Sequence, residues 1–263
     1  MEKKALYDRL GVNYDATRRA DPYIVNRLAH YLIKQRPGYY LDIACGTGNY
    51  TAALARTGIN LHGIDQSPLM IEVARAKEKS VEWFVGDAQF LPFKQRSLTG
   101  ALCTLAIHHF RDIAATFREV FRVLAGGRFV IFTSTPEQMS GYWLNEYFPK
   151  ALERSAEQMP THEYLAESLF AAGFTSIQTE IYEVDEHLQD LFLYSGKHRP
   201  ELYLSPSVRA GISTFANLID RNELESGCRK LALDLQHGRV EEVINSYRHD
   251  RGDYMFVAAE KPT

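Results

Sequence analysis

The chain has little cysteine: three residues in 263, Cys45, Cys103 and Cys228. Their spacing fits neither a metal-ligand pattern nor an even disulfide framework, so a disulfide-stapled scaffold and a cysteine-held metal centre are both excluded. Small, buried thiols in a reducing compartment are the expectation. Long apolar runs are also missing. No window approaches the ~20 residues of a membrane span, and the lysines near Met1 have no apolar core behind them. The sequence therefore reads as cytoplasmic, with no membrane partner. Charge of one sign is lacking too, because 30 Lys and Arg face 33 Asp and Glu for a formal net charge of -3. That balance offers no electrostatic ground for a nucleic-acid partner. Internal repeats and low-complexity tracts are absent as well.

What is present is an alternation of strand and helix patterns. Residues 20–35 carry Ile24, Val25, Leu28, Tyr31 and Leu32 at helical spacing, and Arg36-Pro37-Gly38 stops the run. Tyr39 to Ala44 reads as a strand, Gly46 and Gly48 as a turn, and Asn49 to Ala55 as a helix whose small residues suit close packing. The rhythm continues with strands at 61–64, 81–85, 98–105 and 128–132, and helices at 68–76 and 113–124. Alternation of this kind predicts an α/β fold with a doubly wound, mostly parallel sheet covered on both faces. It breaks after Phe132, resumes with a helix at 161–172 and a strand at 175–184, and ends in a strand at 254–260. The long stretch before that last strand exceeds ordinary connections and reads as a helical cap. The predicted organisation is an N-terminal lid and helix (1–36), a ligand-binding domain (37–185 and 250–263), and a substrate cap (186–249, with 137–160 contributing).

A strand that ends in glycines and opens a helix leaves main-chain N–H groups open to a nucleotide-like ligand. Gly46 and Gly48 provide such a turn, although alone they are equally a plain strand-to-helix connection. Asp65 ends the next strand, where a carboxylate accepts ribose hydroxyls, and it is equally an N-cap before Pro68. Gly86-Asp87-Ala88 ends the third strand, where the acid suits an adenine amine or merely a turn. All three fall at the carboxyl edge of one sheet, the ligand edge of such folds.

Asp42-x-x-x-Gly46-x-Gly48, the Ile64-Asp65 strand end, Gly86-Asp87-Ala88 and Val123-Leu124-Ala125-Gly126-Gly127 together resemble the successive motifs of class I S-adenosylmethionine-dependent methyltransferases, in particular the small-molecule enzymes of the methyltransferase type 11 kind. The resemblance covers roughly residues 36–184 and the last strand. It implies a Rossmann-like, seven-stranded sheet whose last strand runs antiparallel, with S-adenosyl-L-methionine as cofactor and S-adenosyl-L-homocysteine as product. It places Asp42, Ala44, Cys45, Gly46, Thr47 and Gly48 around the methionine moiety, Asp65 and Gln66 at the ribose, and Asp87 and Ala88 at the adenine, with Met70, Gln89 and Leu105 completing the site. Residues 13–18 resemble a segment that closes over the cofactor in related enzymes, with Tyr14 covering the sulfonium and Arg18 pairing with the carboxylate.

Methyl transfer is an in-line displacement, so alignment in a dry site matters more than a base. His108 and His109 titrate in the range of a base, but adjacent side chains diverge, and packing or capping is the plainer role for each; no catalytic residue is assigned. The Asn/Asp-Pro-Pro-Tyr/Phe signature of nucleobase and glutamine N-methyltransferases is absent; Cys103-Thr104-Leu105-Ala106-Ile107 stands in its place. A small-molecule acceptor is therefore expected, methylated at O, N or C, by a monomer or homodimer that needs no metal. In the cap, Phe192, Tyr194, Lys197, His198, Arg199, Tyr203, Arg209 and Phe215 form a mixture suited to an aromatic or anionic molecule. Two alternatives remain open. A nicotinamide dehydrogenase shares the turn and the strand-end acid, but has no use for Asp42 and puts glycine where Thr51 stands. A protein that binds S-adenosylmethionine without transferring methyl, as a sensor, shares every motif.

Overall fold

The structure, a computed structural model, describes residues 14–33 and 37–263, with the side chains of Tyr14, Ala16 and Ile33 outside the description. The part of the expected lid before residue 14 lies outside it too. Chain order runs α1 (Tyr14–Thr17), α2 (Pro22–Ile33), β1 (Tyr39–Ile43), α3 (Asn49–Ala55), β2 (Asn60–Asp65), α4 (Pro68–Lys77), β3 (Glu82–Val85), β4 (Gly100–Thr104), α5 (Ile113–Val123) and β5 (Gly127–Thr133). It continues through α6 (Pro136–Met139), α7 (Pro149–Ala156), α8 (His162–Ala172), β6 (Ser176–Tyr182), α9 (Pro206–Ala210), α10 (Arg221–Gln236), α11 (Val240–Ser246) and β7 (Tyr254–Lys261). Short 3₁₀ turns follow β4 and α6, and a further one precedes α9.

The seven strands form one sheet in the order β3-β2-β1-β4-β5-β7-β6. The pairs from β3 to β5 are parallel, while β7 runs antiparallel to both β5 and β6. The sheet is thus the one expected. Strand order reverses between β1 and β4, which opens a crevice at their carboxyl ends, where ligands bind in open α/β sheets.

Period-2 alternation sends successive side chains to opposite faces. On β1, Tyr40 enters one core while Leu41 and Ile43 enter the other; on β5, Val130 and Phe132 divide from Phe129 and Ile131 in the same way. α5 and α8 cover the second face through Phe117, Val120, Leu165 and Leu169. α2 covers the first with Ile24 and Leu28, and the segments expected as a cap join that same core through Trp143, Phe148, Tyr203 and Leu231. The cap therefore packs as an extension of the sheet's own core. Its helix starts are locally specified: Asp220 accepts the Glu223 N–H at 2.8 Å, and Thr135 with Gln138 forms a reciprocal capping box.

One buried ion pair ties the cap to the sheet. Asp253, just before β7 and only 1% exposed, accepts Lys197 Nζ at 2.8 Å and the Val184 N–H at 2.7 Å. Removing one partner of a buried pair strands the other. We expect Lys197→Met to cost about 3 kcal/mol, the low end of the range for such losses because the Val184 hydrogen bond survives. Thermal unfolding checks this, with a fall in Tm of roughly 2–4 °C per kcal/mol for a chain of this size. Lys197→Met combined with Asp253→Asn should recover most of the loss.

Candidate active site

The crevice is built by the strand ends. After Ile43 the chain turns at Ala44, whose φ of 56° lies in the left-handed region, and Leu105 after β4 does the same at φ 54°. Non-glycine residues held there carry strain, which collects at functional sites. Here it flanks the point where strand order reverses. Gly46 has φ 56° and Gly48 φ 74°, and the two differ in purpose. A methyl group on Gly46 would meet nothing within 4 Å, so this residue faces open space. On Gly48 it would come within 2.3 Å of Trp83 Cη2. Gly48 lets the indole pack beneath the turn and is not among the residues lining the cavity.

A cavity of about 590 Å³ fills the crevice. Its walls include the expected Asp42, Ala44, Cys45, Gly46 and Thr47 from β1 and its loop, and Asp65, Gln66 and Met70 from β2 and α4. Asp87, Ala88 and Gln89 after β3, Leu105 after β4, and Arg18 complete the expected set. Tyr14 belongs to α1, but its side chain lies outside the described residues.

Asp65 accepts the Gly46 N–H through Oδ2 at 2.9 Å and the Ser67 N–H through Oδ1 at 2.9 Å. It is not the N-cap of α4; Ser67 is, accepting the Met70 N–H. The Gln66 N–H is a third main-chain donor to the carboxylate of Asp65. Burial pushes its carboxyl above the usual range, against the pull of these main-chain donors. Asp42, 2% exposed, accepts the Thr51 hydroxyl at 2.6 Å. Burial pushes it up to about 7, helped by the Asp65 charge and opposed by the Thr51 bond. The turn role of Asp87 is real at one oxygen, where Oδ1 takes the Gln89 N–H at 2.9 Å.

The N-terminal segment is bound to residues of this site. Asp15 accepts the Thr47 hydroxyl at 2.6 Å and Asn49 Nδ2 at 3.1 Å, and pairs with Lys77 at 2.9 Å. Arg18 makes a two-pronged pair with Asp190, 2.6 Å from Nε to Oδ1 and 3.2 Å from Nη2 to Oδ2, and Tyr50 donates to the same carboxylate at 3.1 Å. Arg18 thus reaches the cavity, but a protein carboxylate already holds it.

Sequence reasoning missed Thr104 and Asp190, which line the cavity together with His109, one of the two histidines considered there as a base. Thr104 Oγ1 is buried with no hydrogen-bond partner among the described residues. Its place at the end of β4 was the available signal; Asp190, far along the chain, carried none. The two histidines do diverge: His109 lines the main cavity and His108 a second, smaller one of about 70 Å³, with ring centroids 3.8 Å apart. The expected cap residues are mostly spent on structure. Lys197 holds Asp253, His198 Nε2 lies 2.9 Å from the Val184 carbonyl, and Arg199 and Arg209 donate to the carbonyls of Leu188 and Tyr203. Tyr194, Tyr203 and Phe215 are buried in the core. Of that group, Phe192 alone lines either cavity. No cluster of metal-ligating side chains occurs among the described residues, and none of their helices is long and apolar enough to cross a membrane.

Asp42 carries a pH signature. Its folded-state value of about 7 exceeds the ordinary carboxyl value, so the folded protein holds the extra proton between pH 4 and 7. Stability therefore falls as pH rises through that window, by up to ~1.4 kcal/mol per unit, and levels off above it. In the ligand-free protein, Asp42→Asn, which still accepts from Thr51, should remove this slope. Parallel Tm-against-pH curves for the two proteins would contradict the assignment.

A methyltransferase domain model matches residues 41–132. Demethylmenaquinone methyltransferase of Thermotoga maritima is 34% identical over 139 residues, covering 50% of this chain and 61% of the relative, under two thirds of its length. The enzyme of the same name from Corynebacterium kroppenstedtii is 30% identical over 65% of this chain and 79% of its own. A crystal structure from Anabaena variabilis, by name a methyltransferase from an antibiotic biosynthesis pathway, superposes with TM-score 0.81 at 32% identity, covering 92% of this chain and 98% of that one. With strand order, motif positions and relatives in agreement, the chain belongs to the class I S-adenosylmethionine-dependent methyltransferase family.

Proposed function

We propose that this chain transfers the methyl group of S-adenosylmethionine to a small-molecule acceptor. The observation that carries the reading is the main cavity. Two carboxyl groups raised by burial, Asp42 and Asp65, sit in its walls beside a glycine with open space above it and a buried hydroxyl, Thr104, with no described partner. Buried acids favour a ligand that brings positive charge, and S-adenosylmethionine carries both an ammonium and a sulfonium. When bound, the cofactor supplies an electrophilic methyl carbon on a sulfonium, whose sulfur keeps the electron pair of the broken bond.

The chain's own residues do the rest by holding and drying. Residues 42–47 take the methionine end, Asp65 and Gln66 the ribose, and Asp87, Ala88 and Gln89 the adenine, with Met70 against the nucleoside. Asp15 and Arg18 fasten α1 across the opening, which excludes water and raises the worth of each polar contact. Arg18, neutralised by Asp190, serves in this reading as part of the wall more than as a free carboxylate clamp. Where an acceptor must lose a proton, His109 and His108 offer one imidazole on each side of the junction.

The curated relatives, by name, methylate demethylmenaquinone, a small molecule. That supports a small-molecule acceptor here, as does the charge balance. Three unpaired cysteines accord with a cytoplasmic setting, and the assembly proposed is a monomer or homodimer.

Calorimetric titration with S-adenosylmethionine, S-adenosylhomocysteine and NAD tests the proposal. The adenosyl pair should bind saturably and NAD should not. Asp65→Ala, which removes a charged acceptor, should weaken the adenosyl ligands by about 10–100-fold, as expected for hydrogen bonds worth ~1.5–3 kcal/mol. Binding of NAD alone would overturn it.

A further inference from the structure

The second cavity shares Arg18 and Leu105 with the main one, so the two adjoin across the strained bend at Leu105, φ 54°. We infer that this cavity receives the reacting end of the methyl acceptor, and that the group it admits is uncharged; the inference rests on the methyl-transfer reading above.

The walls come from both halves of the molecule. Thr133 ends β5 and Ser134 follows it, Tyr254 begins β7, and Met139 ends α6, while Ser155, Ile212 and Thr214 arrive from the inserted segments. Thr214 opens a π-helical turn, Thr214–Leu218, a rare form that gathers at functional sites. Built from sheet and cap together, the pocket exists only because the cap shares the sheet's core.

Its chemistry selects against charge. Among the described lining residues there is no carboxylate and no lysine. The one permanent cation, Arg18, is neutralised by its two-pronged pair with Asp190, itself 1% exposed. The polar wall atoms are largely satisfied within the protein. Ser155 and Thr214 share a hydrogen bond at 2.9 Å, Ser134 donates to the Asp253 carbonyl at 3.0 Å, and the Tyr254 hydroxyl accepts the Tyr194 N–H at 3.3 Å. A cation entering here sheds water and finds no carboxylate, and an anion finds only the Asp190-held Arg18 and the His108 ring, at a cost of several kcal/mol. An uncharged group does not meet that cost, and it gains contact with Met139, Phe192 and Ile212, each at most 4% exposed.

Size adds a second limit. About 70 Å³ is roughly two waters' share of liquid volume and under half of the ~150 Å³ cavity that holds benzene in an engineered protein. Only the reacting end of an acceptor enters, and its remainder lies in the part of the main cavity beside His109 and Phe110.

The test uses protein saturated with S-adenosylhomocysteine and titrated by calorimetry with phenol, benzoate and benzylammonium as probes. Phenol should bind at least about tenfold more tightly than either charged probe. Met159→Trp and Ser213→Phe fill the pocket from its half-buried wall; each should weaken phenol by about tenfold while leaving S-adenosylhomocysteine affinity within about twofold and the circular dichroism unchanged. Equal or tighter binding of a charged probe, no measurable phenol binding, or two correctly folded filling variants that bind phenol like the parent would each overturn the inference. Failure of the parent protein to bind S-adenosylhomocysteine would instead strike the methyl-transfer reading beneath it.

Discussion

The pair between Arg18 and Asp190 is the interaction on which the functional half of the molecule depends. It joins the N-terminal segment to the cap, draws in Tyr50 from the helix behind the glycine turn, and stands in the walls of the main cavity, with Arg18 reaching the second as well. Desolvating two charges is costly unless geometry and extra hydrogen bonds repay it. Two N–H donors to two carboxylate oxygens and a phenol hydroxyl provide that repayment here. The Asn49 side chain, bonded to the Arg18 carbonyl at 2.9 Å, fixes the backbone from the other side. Breaking the pair would free three elements at once, so the site's enclosure is a single cooperative arrangement.

Beneath it lies a division of labour between acids. Asp15 gains cationic and hydroxyl partners that outweigh its burial, and its carboxyl ends below the usual range. Asp42 and Asp65 gain too few, and theirs end above it. The first acid is satisfied by the protein and works as a latch. The other two are left wanting positive charge, which is the property a cationic cofactor requires of its site. A fold stabilised only for its empty form would have given Asp42 a lysine; Lys77, the cation closest in role, pairs with Asp15 instead.

Much of this was legible in the sequence because it is local. The alternation of apolar patterns gave the order of strands and helices, since residue periodicity and sheet coverage are set within a few positions of each residue. The strand-end acids and Gly46 were readable for the same reason. The packing constraint on Gly48 was not readable, because the Trp83 indole that imposes it comes from another strand two positions across the sheet. Asp190 was invisible because nothing near it in sequence marks an aspartate that will meet an arginine near the N-terminus. The cap's cations looked like a binding surface for the same reason: Lys197, Arg199 and Arg209 have partners, Asp253 and two carbonyls, that only the folded chain supplies.

The cap also bears on how far the relatives' chemistry reaches. The Thermotoga relative aligns with half of this chain, whereas the Anabaena structure superposes over 92% of it. The matched family model, residues 41–132, holds the glycine turn and the strand-end acids, the part of the fold proposed to meet the cofactor. Most walls of the second cavity come from beyond that span, from Thr133 through Tyr254. In the reading proposed above, cofactor chemistry goes with the sheet and acceptor choice with the inserted segments. Sites on a shared fold diverge where their loops do, so a common cofactor site does not carry a common acceptor with it.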